Sequence, residues 1–478
     1  MPASLSSSIA DPVFQPPLAI DLPAREVAPD LPGELAGSGR GLDPRDFNFG
    51  LVSAICPLEL VDRVITAAGK AELRCRLLPA RLVVYSILFM CLSALAYQKL
   101  LNQLAPLNSG VGWQAPNKSS FARARVKLGW EVMQRLFAEL AKPLADQRHE
   151  WAIWRGRRLV AIDGTTLELH SDLEQDFGGA YRAGARAGAP LLRVAGLVEC
   201  GTRAPLAAEC DRFEVSEKVL VERFLSSISP GMLVLADRHF LGVKLWRACL
   251  ARGADLVWRA SQGVAKVPVE FLDDGTYLAR ITNVIGESVL VRVIEYKLSG
   301  PDAPDTVYRL LTNMLDPVIA PAVELARLYR ERWEIETAFK ELKAVQLRGE
   351  LLRSRTKDGV LQEFWAHLVA YRISRELIYR TARTVPGQDP DQISFSSTLQ
   401  VILRSVDTAV RITAAGFRRC LARGIQELGA VRMRLHRRDR TSPRMVHHRQ
   451  SHYRSRANIS GPRSSRRDRS PAVCLVRR

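Results

Sequence analysis

The spacing of apolar and polar positions changes along the chain and predicts a helical segment followed by a segment rich in strands. Over residues 43–150, apolar positions recur at helical spacing, most clearly in the run PARLVVYSILFMCLSALAYQKLLNQL. From residue 151, short apolar runs such as RRLVAIDGTTLEL and GMLVLADRHF are bounded by turn residues, which is typical of strands. The pattern therefore predicts a helical N-terminal domain over 43–150 and a mixed α and β domain over 151–385.

The order of elements in the mixed domain predicts three strands, a helix, a strand, a helix and a further strand. The second and third strands are joined by GTRAP, which reads as a hairpin turn, and SEKVLVERFLSSI reads as a helix capped by its first serine. Residues 262–318 alternate like further strands, so a β-rich insertion is expected before the helix that begins near Pro321. Composition adds three segments: a disordered leader (1–42), a helical C-terminal segment (386–430) and an Arg-rich disordered tail (431–478).

The apolar stretch Leu82–Gln98 contains 17 residues without a charge. This is just below the roughly 18 that make a membrane-spanning helix the better interpretation, so we expect a buried helix and no membrane partner. The eight cysteines form no C-x-x-C pair, and the N-terminus lacks the basic start and apolar run of a secretory signal. These features favour a cytoplasmic, nucleoid-associated protein in bacteria and argue against a disulfide framework or a structural zinc site.

The charge balance indicates a polyanionic partner, either nucleic acid or an acidic membrane surface. Lys and Arg number 69 against 50 Asp and Glu, a formal net charge of +19. Residues 431–478 contain 15 Arg and no Lys against Asp439 and Asp468, so this tail carries +13 and residues 1–430 carry +6. In the helical domain, NKSSFARARVKLGWEVMQRLFAELA reads as a helix that starts at a serine cap. Arg123, Arg125 and Lys127 lie in its first turns, which fits either a DNA-facing element or a solvated face.

Two aspartates are expected at the ends of buried strands. Asp163 follows the apolar run Leu159–Ile162, and Asp237 follows Met232–Ala236. Ligands of mostly parallel sheets collect at the carboxyl ends of the strands, so the two carboxylates share one site if their strands are neighbours. The alternative for either residue alone is an ordinary turn former or helix cap.

A third carboxylate lies in the predicted helix after Pro321. At 100° per residue, Tyr329, Arg332, Glu336 and Lys343 fall within an arc of about 60°, at the rim of the apolar face. A carboxylate on such a rim is held in place and still reached by a substrate. The alternative is a solvated helix surface with ion pairs between residues four apart.

Carboxylates drawn from two strands and a helix are suited to hard divalent ions. Mg²⁺, with Mn²⁺ as the alternative, takes oxygen ligands and leaves positions for water and phosphate. Two such ions about 4 Å apart activate an attacking oxygen and stabilise the leaving oxygen of a phosphodiester. The flanking Arg and Lys side chains are then expected to hold DNA phosphates.

The spacing Tyr329, two residues, Arg332, three residues, Glu336, six residues, Lys343 resembles a known signature. It is the Tyr-Arg-Glu-Lys signature of the bacterial insertion-sequence transposases named after insertion sequence four. The segments VAIDGTTLEL and VLADRHF are similar to the first and second catalytic blocks of that family. The resemblance extends over roughly residues 45–380.

The resemblance implies a multidomain protein: a ribonuclease-H-like catalytic core with a β-rich insertion, preceded by a helical DNA-binding domain. It implies an Asp-Asp-Glu triad that also binds the metal, and residues that contact the end of the transposable element. Trp333 is either a stacking platform for an unpaired base or a packing residue under the insertion. The triad is Asp163, Asp237 and Glu336, and the DNA contacts are Tyr329, Arg332, Lys343 and Trp333.

The implied activity is cut-and-paste transposition through metal-dependent endonuclease and strand-transfer steps. The implied partners are double-stranded DNA, namely the inverted repeats and the target, and a second copy of the chain bound to the same DNA. Two alternatives stay open from the residues alone. One is a ribonuclease-H-like nuclease that cleaves without joining strands, and the other is an inactive DNA-binding repressor of transposition.

Overall fold

The fold is taken from a computed structural model of the whole chain. It describes residues 49–72, 78–93, 116–179, 181–182, 185–186, 188–261, 263–299, 306–406, 414–430 and 472–476. The predicted disordered leader, residues 1–42, lies outside the described residues, as does the Arg-rich segment 431–471.

Helices make up the first part of the described chain. They are α1 (Leu51–Ile55), α2 (Leu58–Ala67), α3 (Ala80–Ser93), α4 (Lys118–Leu128) and α5 (Glu131–Leu140). Helix α3 is buried from Leu82 to Ser93, so the described part of the long apolar stretch belongs to the core. Within the described residues, no helix is long and apolar enough to cross a bilayer.

Helix α4 differs from its expected form in two ways. Its N-cap is Asn117, whose side chain accepts a hydrogen bond from the Ser120 amide at 2.8 Å, so the predicted serine cap is wrong. The helix also ends at Gly129 instead of running on into α5. Arg125 is buried in α4 and donates to Gln362 Oε1 at 2.8 Å, so this cation is a packing residue.

One mixed sheet forms the centre of the described structure, in the order β6-β5-β2-β7-β8-β12-β11-β10-β9. Strand β5 pairs antiparallel with β2 on one side and with β6 on the other, β7 and β8 run parallel to β2, and the remaining pairs are antiparallel. The strands are β1 (Ile153–Trp154), β2 (Arg157–Glu168), β5 (Leu191–Glu199), β6 (Ala204–Arg212), β7 (Met232–Ala236), β8 (Asp255–Ala260), β9 (Pro268–Phe271), β10 (Tyr277–Thr282), β11 (Ser288–Ser299) and β12 (Tyr308–Thr312). A separate two-stranded sheet contains β3 (Tyr181–Arg182) and β4 (Ala185–Arg186).

The strands of the region 262–318 extend the same sheet. They attach to it through β12, which pairs with β8 so that Leu311 lies opposite Trp258. Strands β9 to β12 therefore lie between β8 and the next helix in sequence, and they build the outer half of the sheet in space.

Alternating residues of the central strands separate two apolar layers. Leu159 and Ala161 of β2 belong to one core with Leu233 and Leu235 of β7. Their neighbours, such as Ile162, face a second core formed with helices α7 and α8. The remaining helices are α6 (Glu174–Phe177), α7 (Glu217–Arg223), α8 (Val243–Ala251), α9 (Ala322–Leu328), α10 (Trp333–Lys340), α11 (Lys357–Ala382), α12 (Phe395–Val406) and α13 (Ala414–Ala430).

Helix α11 is the long central helix of the first layer, and residues around most of its circumference are buried. It begins at Thr356, whose side chain caps the Gly359 amide, and it packs against α3 and α5. A helix that is apolar on most of its faces has to be surrounded by others. The N-terminal helices provide that cover.

The end of the chain contains a strand, β13 (Ala472–Leu475), where the sequence predicts a disordered tail. This strand pairs antiparallel with β11, with Tyr296 opposite Leu475. The prediction is wrong for these four residues because the apolar run AVCLV lets them extend a sheet edge, whereas the preceding Arg-rich composition masks that run.

Candidate active site

The two candidate aspartates lie at adjacent positions of neighbouring parallel strands. Ile162 of β2 is opposite Ala236 of β7, so the next residues, Asp163 and Asp237, follow at the same level. The backbone alternation that buries Ala161 and Leu235 in one core directs both carboxylates to that same face.

Strand β2 does not end at Asp163, contrary to the expectation from the sequence. It continues to Glu168, paired with β5 from Asp163 opposite Gly196 onward. Strand β7 does end, at Ala236. From Asp163 onward, β2 therefore pairs with β5 but no longer with β7. Because β5 satisfies the backbone hydrogen bonds of β2 beyond this point, the chain stays extended through Asp163 and Gly164.

The segment with the third carboxylate is not one regular helix. Between α9 and α10, Tyr329–Arg332 form a 3₁₀ turn, and Glu341–Gln346 after α10 form a π-helical turn. The constant 100° step used for the sequence is therefore wrong here. Tyr329 and Arg332 are buried, Arg332 with only 4% of its surface exposed, so they lie in the core instead of on its rim.

Arg332 joins the first and third candidate carboxylates. Its Nη1 lies 3.3 Å from Asp163 Oδ2, and its Nη2 donates to Glu336 Oε1 at 2.5 Å. The guanidinium also lies 5.1 Å from the ring centre of Trp333, which is 44% exposed. A single buried cation thus holds a strand residue and a helix residue together.

Tyr329 connects the same segment to the other strand. Its hydroxyl donates to the carbonyl oxygen of Ala236 at 3.2 Å, immediately before Asp237. The segment from Tyr329 to Glu336 is therefore fixed to the ends of both β7 and β2.

Lys343 reaches the extension of β2. Its Nζ donates to Thr165 Oγ1 at 2.7 Å, two residues beyond Asp163. Burial lowers the pKa of this amine from its ordinary value. Of the candidate triad and DNA-contact residues predicted from the sequence, Trp333 is the one that is exposed, with 44% of its surface accessible.

Asp163 and Asp237 each have a property that is typical of carboxylates in a binding site. Burial raises the pKa of Asp163 to about 6, and the Gly164 amide and Arg332 only partly oppose this rise. Asp237 Oδ1 is buried and has no hydrogen-bond partner among the described residues. Burying an acceptor without a partner costs free energy, so a cation at this oxygen would remove a penalty.

The donor set fits a divalent cation. Oxygen atoms of Asp163, Asp237 and Glu336 are the hard ligands that Mg²⁺ and Mn²⁺ prefer. Within the described part of the chain, no three acidic, histidine or cysteine side chains are already grouped as a metal site. Arg332 contacts one oxygen of Asp163 and one of Glu336.

Glu217 is a further acidic residue at this edge that the sequence reasoning missed. It is the first residue of α7, and its carboxylate occupies the space that a side chain at Gly164 would fill. His239 Nε2 lies 3.6 Å from Glu217 Oε2. The predicted cap at Ser216 fixed the helix start, and therefore the position of Glu217, but nothing local indicated which strand it would meet.

Comparison with known proteins gives two family matches. A family described as transposase DDE domain matches residues 154–373, and one described as insertion element 4 transposase N-terminal matches residues 47–138. All the candidate site residues, from Asp163 to Lys343, lie in the first of these ranges.

Individual relatives were also found. The Transposase InsG for insertion sequence element IS4 of Escherichia coli is 28% identical over 404 residues, which cover 81% of this chain and 89% of that protein. The Putative transposase InsZ of the same organism is 25% identical over 259 residues, covering 52% and 85%. A cryo-EM structure of the piggyBac transposase synaptic complex with hairpin DNA has a TM-score of 0.42 and 9% identity, covering 82% of this chain and 87% of that one.

Proposed function

The chain belongs to the DDE-type transposases of the insertion sequence 4 family, and from this premise we propose cut-and-paste transposition at the ends of an insertion sequence. Membership makes the chain a DNA transposase, an enzyme that binds DNA and depends on a divalent metal ion. The proposal adds the reaction course: hydrolysis of a phosphodiester at each element end, then attack of the freed 3′ hydroxyl on target DNA.

We propose that the catalytic core is ribonuclease-H-like. The support is the order of the sheet, in which the antiparallel strands β6, β5 and β2 are followed by β7 and β8 parallel to β2. In this arrangement the carboxyl ends of parallel strands form an edge that is open to a ligand.

We propose that Asp163, Asp237 and Glu336 form the catalytic triad and hold two Mg²⁺ ions. The observation that carries this proposal is the adjacency of the two aspartates on parallel strands, with Glu336 linked to Asp163 through Arg332. When bound, the ions would supply an activated water oxygen and stabilise the departing 3′ oxygen. Asp163 is held for this role by the Gly164 amide, which donates to its Oδ1 at 2.8 Å.

The proposed DNA contacts follow from where the cations lie. Arg332 and Lys343 lie on either side of Glu336 in sequence, and both contact the β2 edge, so phosphates next to the scissile bond would meet them there. Tyr329, which the resemblance assigns to DNA contact, is buried, and its hydrogen bond to the Ala236 carbonyl oxygen fixes the segment that carries Arg332. The exposed ring of Trp333 is the proposed platform for an unpaired base.

We propose that the active form is a homodimer assembled on DNA in the bacterial cytoplasm. Cut-and-paste chemistry requires two ends to be held together, and one chain supplies one candidate triad. The positive charge of the sequence supports association with the nucleoid.

The proposal is tested with DNA taken from both sides of the coding region. Full-length protein is incubated with Mg²⁺ and precut double-stranded oligonucleotides carrying those sequences, together with a supercoiled target plasmid. Joined products are expected with wild type and not with Glu336→Ala. The matched control is Glu270→Ala, an exposed carboxylate on β9. In a parallel reaction the same sequences are supplied uncut, and cleavage of these without joining of the precut ends would show a nuclease and contradict the strand-transfer step.

A further inference from the structure

A buried cluster of charges lies behind the helix that presents Glu336. Arg203, in the turn between β5 and β6, has 2% of its surface exposed and binds three carboxylates. Its Nε donates to Glu334 Oε2 at 2.6 Å, its Nη1 to Glu341 Oε1 at 2.9 Å, and its Nη2 to Asp391 Oδ2 at 2.5 Å. These contacts span 131 to 188 positions of the sequence, so the cluster forms only in the folded chain.

Two members of the cluster lie on the same segment as the candidate catalytic glutamate. Glu334 is two residues before Glu336, which in α10 places the two side chains about 200° apart around the helix axis. Glu341 begins the π-helical turn at the other end of α10. Arg203 therefore contacts the segment near both ends of α10, on the side of the helix away from Glu336. Glu336 contacts Arg332 on the opposite side.

The cluster also fixes this segment to the long helix α11. Tyr371 donates to Glu341 Oε2 at 2.8 Å, and Arg375 Nη1 lies 3.4 Å from the same oxygen. Arg375 also contacts the β5–β6 turn, because its Nε donates to the Thr202 carbonyl oxygen at 2.7 Å. The segment is thus held by side chains from the sheet and from a second helix.

The backbone of Arg203 adopts a conformation that glycine adopts more readily. Its φ angle is 55°, in the left-handed region that costs energy for a residue with a Cβ. The three carboxylate contacts of the side chain offset this cost. Neither glycine nor lysine at this position has the planar guanidinium whose three nitrogens donate to three carboxylates at the same time.

We propose that Arg203 is a positioning residue for DNA cleavage and joining. By holding Glu334 and Glu341, it sets the rotation of α10 about its axis, and this rotation decides whether Glu336 faces Asp163. The inference rests on the proposed function, because it gives Arg203 a role only through Glu336. Displacements of about 1 Å at a catalytic group lower rates by about two orders of magnitude, so the effect is measurable.

The test compares Arg203→Lys with Arg292→Lys as the matched control. Arg292 is also fully buried and bonded to an acidic residue, Asp274, but it lies in β11 and not behind α10. Single-turnover cleavage of DNA from the flanks of the gene is measured over a Mg²⁺ titration. DNA affinity is measured in parallel, and amide hydrogen exchange over 333–346 provides a readout that does not depend on activity.

For Arg203→Lys we expect a rate at least about tenfold lower, a Mg²⁺ midpoint shifted several-fold upward, and DNA affinity within about twofold of wild type. Exchange over 333–346 should rise, whereas Arg292→Lys should leave rate, midpoint and this exchange unchanged. Tyr371→Phe, which removes one hydrogen bond to Glu341, should change the same three quantities in the same direction by less. If Arg203→Lys does not fold, the results for Tyr371→Phe decide whether the positioning role holds.

Wild-type rate, midpoint and exchange in the folded Arg203→Lys variant would overturn the positioning role. So would an equal loss of rate in Arg292→Lys. If wild type and Glu336→Ala behave alike, the proposed triad fails instead, and this outcome is distinguishable because it involves no change at Arg203.

Discussion

Arg332 offers the sharpest test of the electrostatics of the site. Its guanidinium is buried between Asp163 and Glu336, at 3.3 Å and 2.5 Å from their oxygens. Removing one partner of a buried ion pair costs about 3–5 kcal/mol, because a buried charge stays behind. The Glu336 side chain is 31% exposed, so water screens part of this cost, and for Arg332→Gln we expect a loss near 3 kcal/mol.

The assay is urea unfolding of wild type and Arg332→Gln, first with a chelator and then with Mg²⁺ or Mn²⁺. In wild type, a bound cation has to compete with Arg332 for carboxylate oxygens. In Arg332→Gln the oxygens are freed, so we expect the cation to stabilise the variant by about 1 kcal/mol more than it stabilises wild type. Arg292→Gln, whose ion pair lies elsewhere, should be destabilised without this extra response to metal.

A loss below about 1 kcal/mol for Arg332→Gln would refute the buried bridge. An identical metal response in wild type, Arg332→Gln and Arg292→Gln would refute the competition between the guanidinium and a cation for the same oxygens.

Three further changes test separate parts of the structure. Burial lowers the pKa of His367 from 6.5 to about 4, so the folded protein keeps this side chain neutral. The resulting contribution to the free energy of unfolding is complete above the pKa of the unfolded chain and is lost as the pH falls toward the pKa of the folded chain. From about pH 7.5 to pH 5, His367→Gln should lose about 2 kcal/mol less unfolding free energy than wild type, as measured in urea. Gly164→Val should displace Glu217 and lower cleavage at least tenfold (about 1.4 kcal/mol), while circular dichroism shows a folded chain. Trp333→Ala should leave the thermal midpoint nearly unchanged and weaken binding to DNA with unpaired bases by about tenfold, as measured by anisotropy.

Local sequence patterns placed Asp237 directly after the buried strand β7. They also placed Asp163 directly after a buried apolar run, but they did not show that β2 continues from there to Glu168. The adjacency of Asp163 and Asp237 needed one more fact, that β2 and β7 are neighbours in parallel register. No local pattern encodes which strands become neighbours.

The constant 100° step per residue gave wrong side-chain positions for Tyr329 and Arg332, and the reason lies in contacts outside the helix. Tyr329 forms a hydrogen bond with the end of β7, and Lys343 with Thr165 on β2, contacts that accompany the 3₁₀ and π-helical turns on either side of α10. The spacing of residue types pointed to the right segment, but the orientation of the side chains depends on tertiary contacts. This is why Arg332, expected on the rim, is in the core.

Arg203 could not have been found from the sequence by any of these rules. It lies in a hairpin turn, where an arginine reads as a solvated residue, and its three partners are distant in sequence. Buried ion clusters of this kind depend on the complete fold, because each charge is tolerable only when its partners are present. The same holds for Glu217, whose neighbour Gly164 belongs to a different element.

The most direct test of the proposed centre is the rate of Mg²⁺-dependent cleavage of element-end DNA by the full chain and by Asp163→Asn, Asp237→Asn and Glu336→Gln. Each variant is predicted to bind the DNA within about threefold of wild type and to cleave it at least about a thousandfold more slowly, a loss of about 4 kcal/mol of transition-state stabilisation. A wild-type cleavage rate in any one of the three variants would contradict the claim that these carboxylates form a single catalytic site.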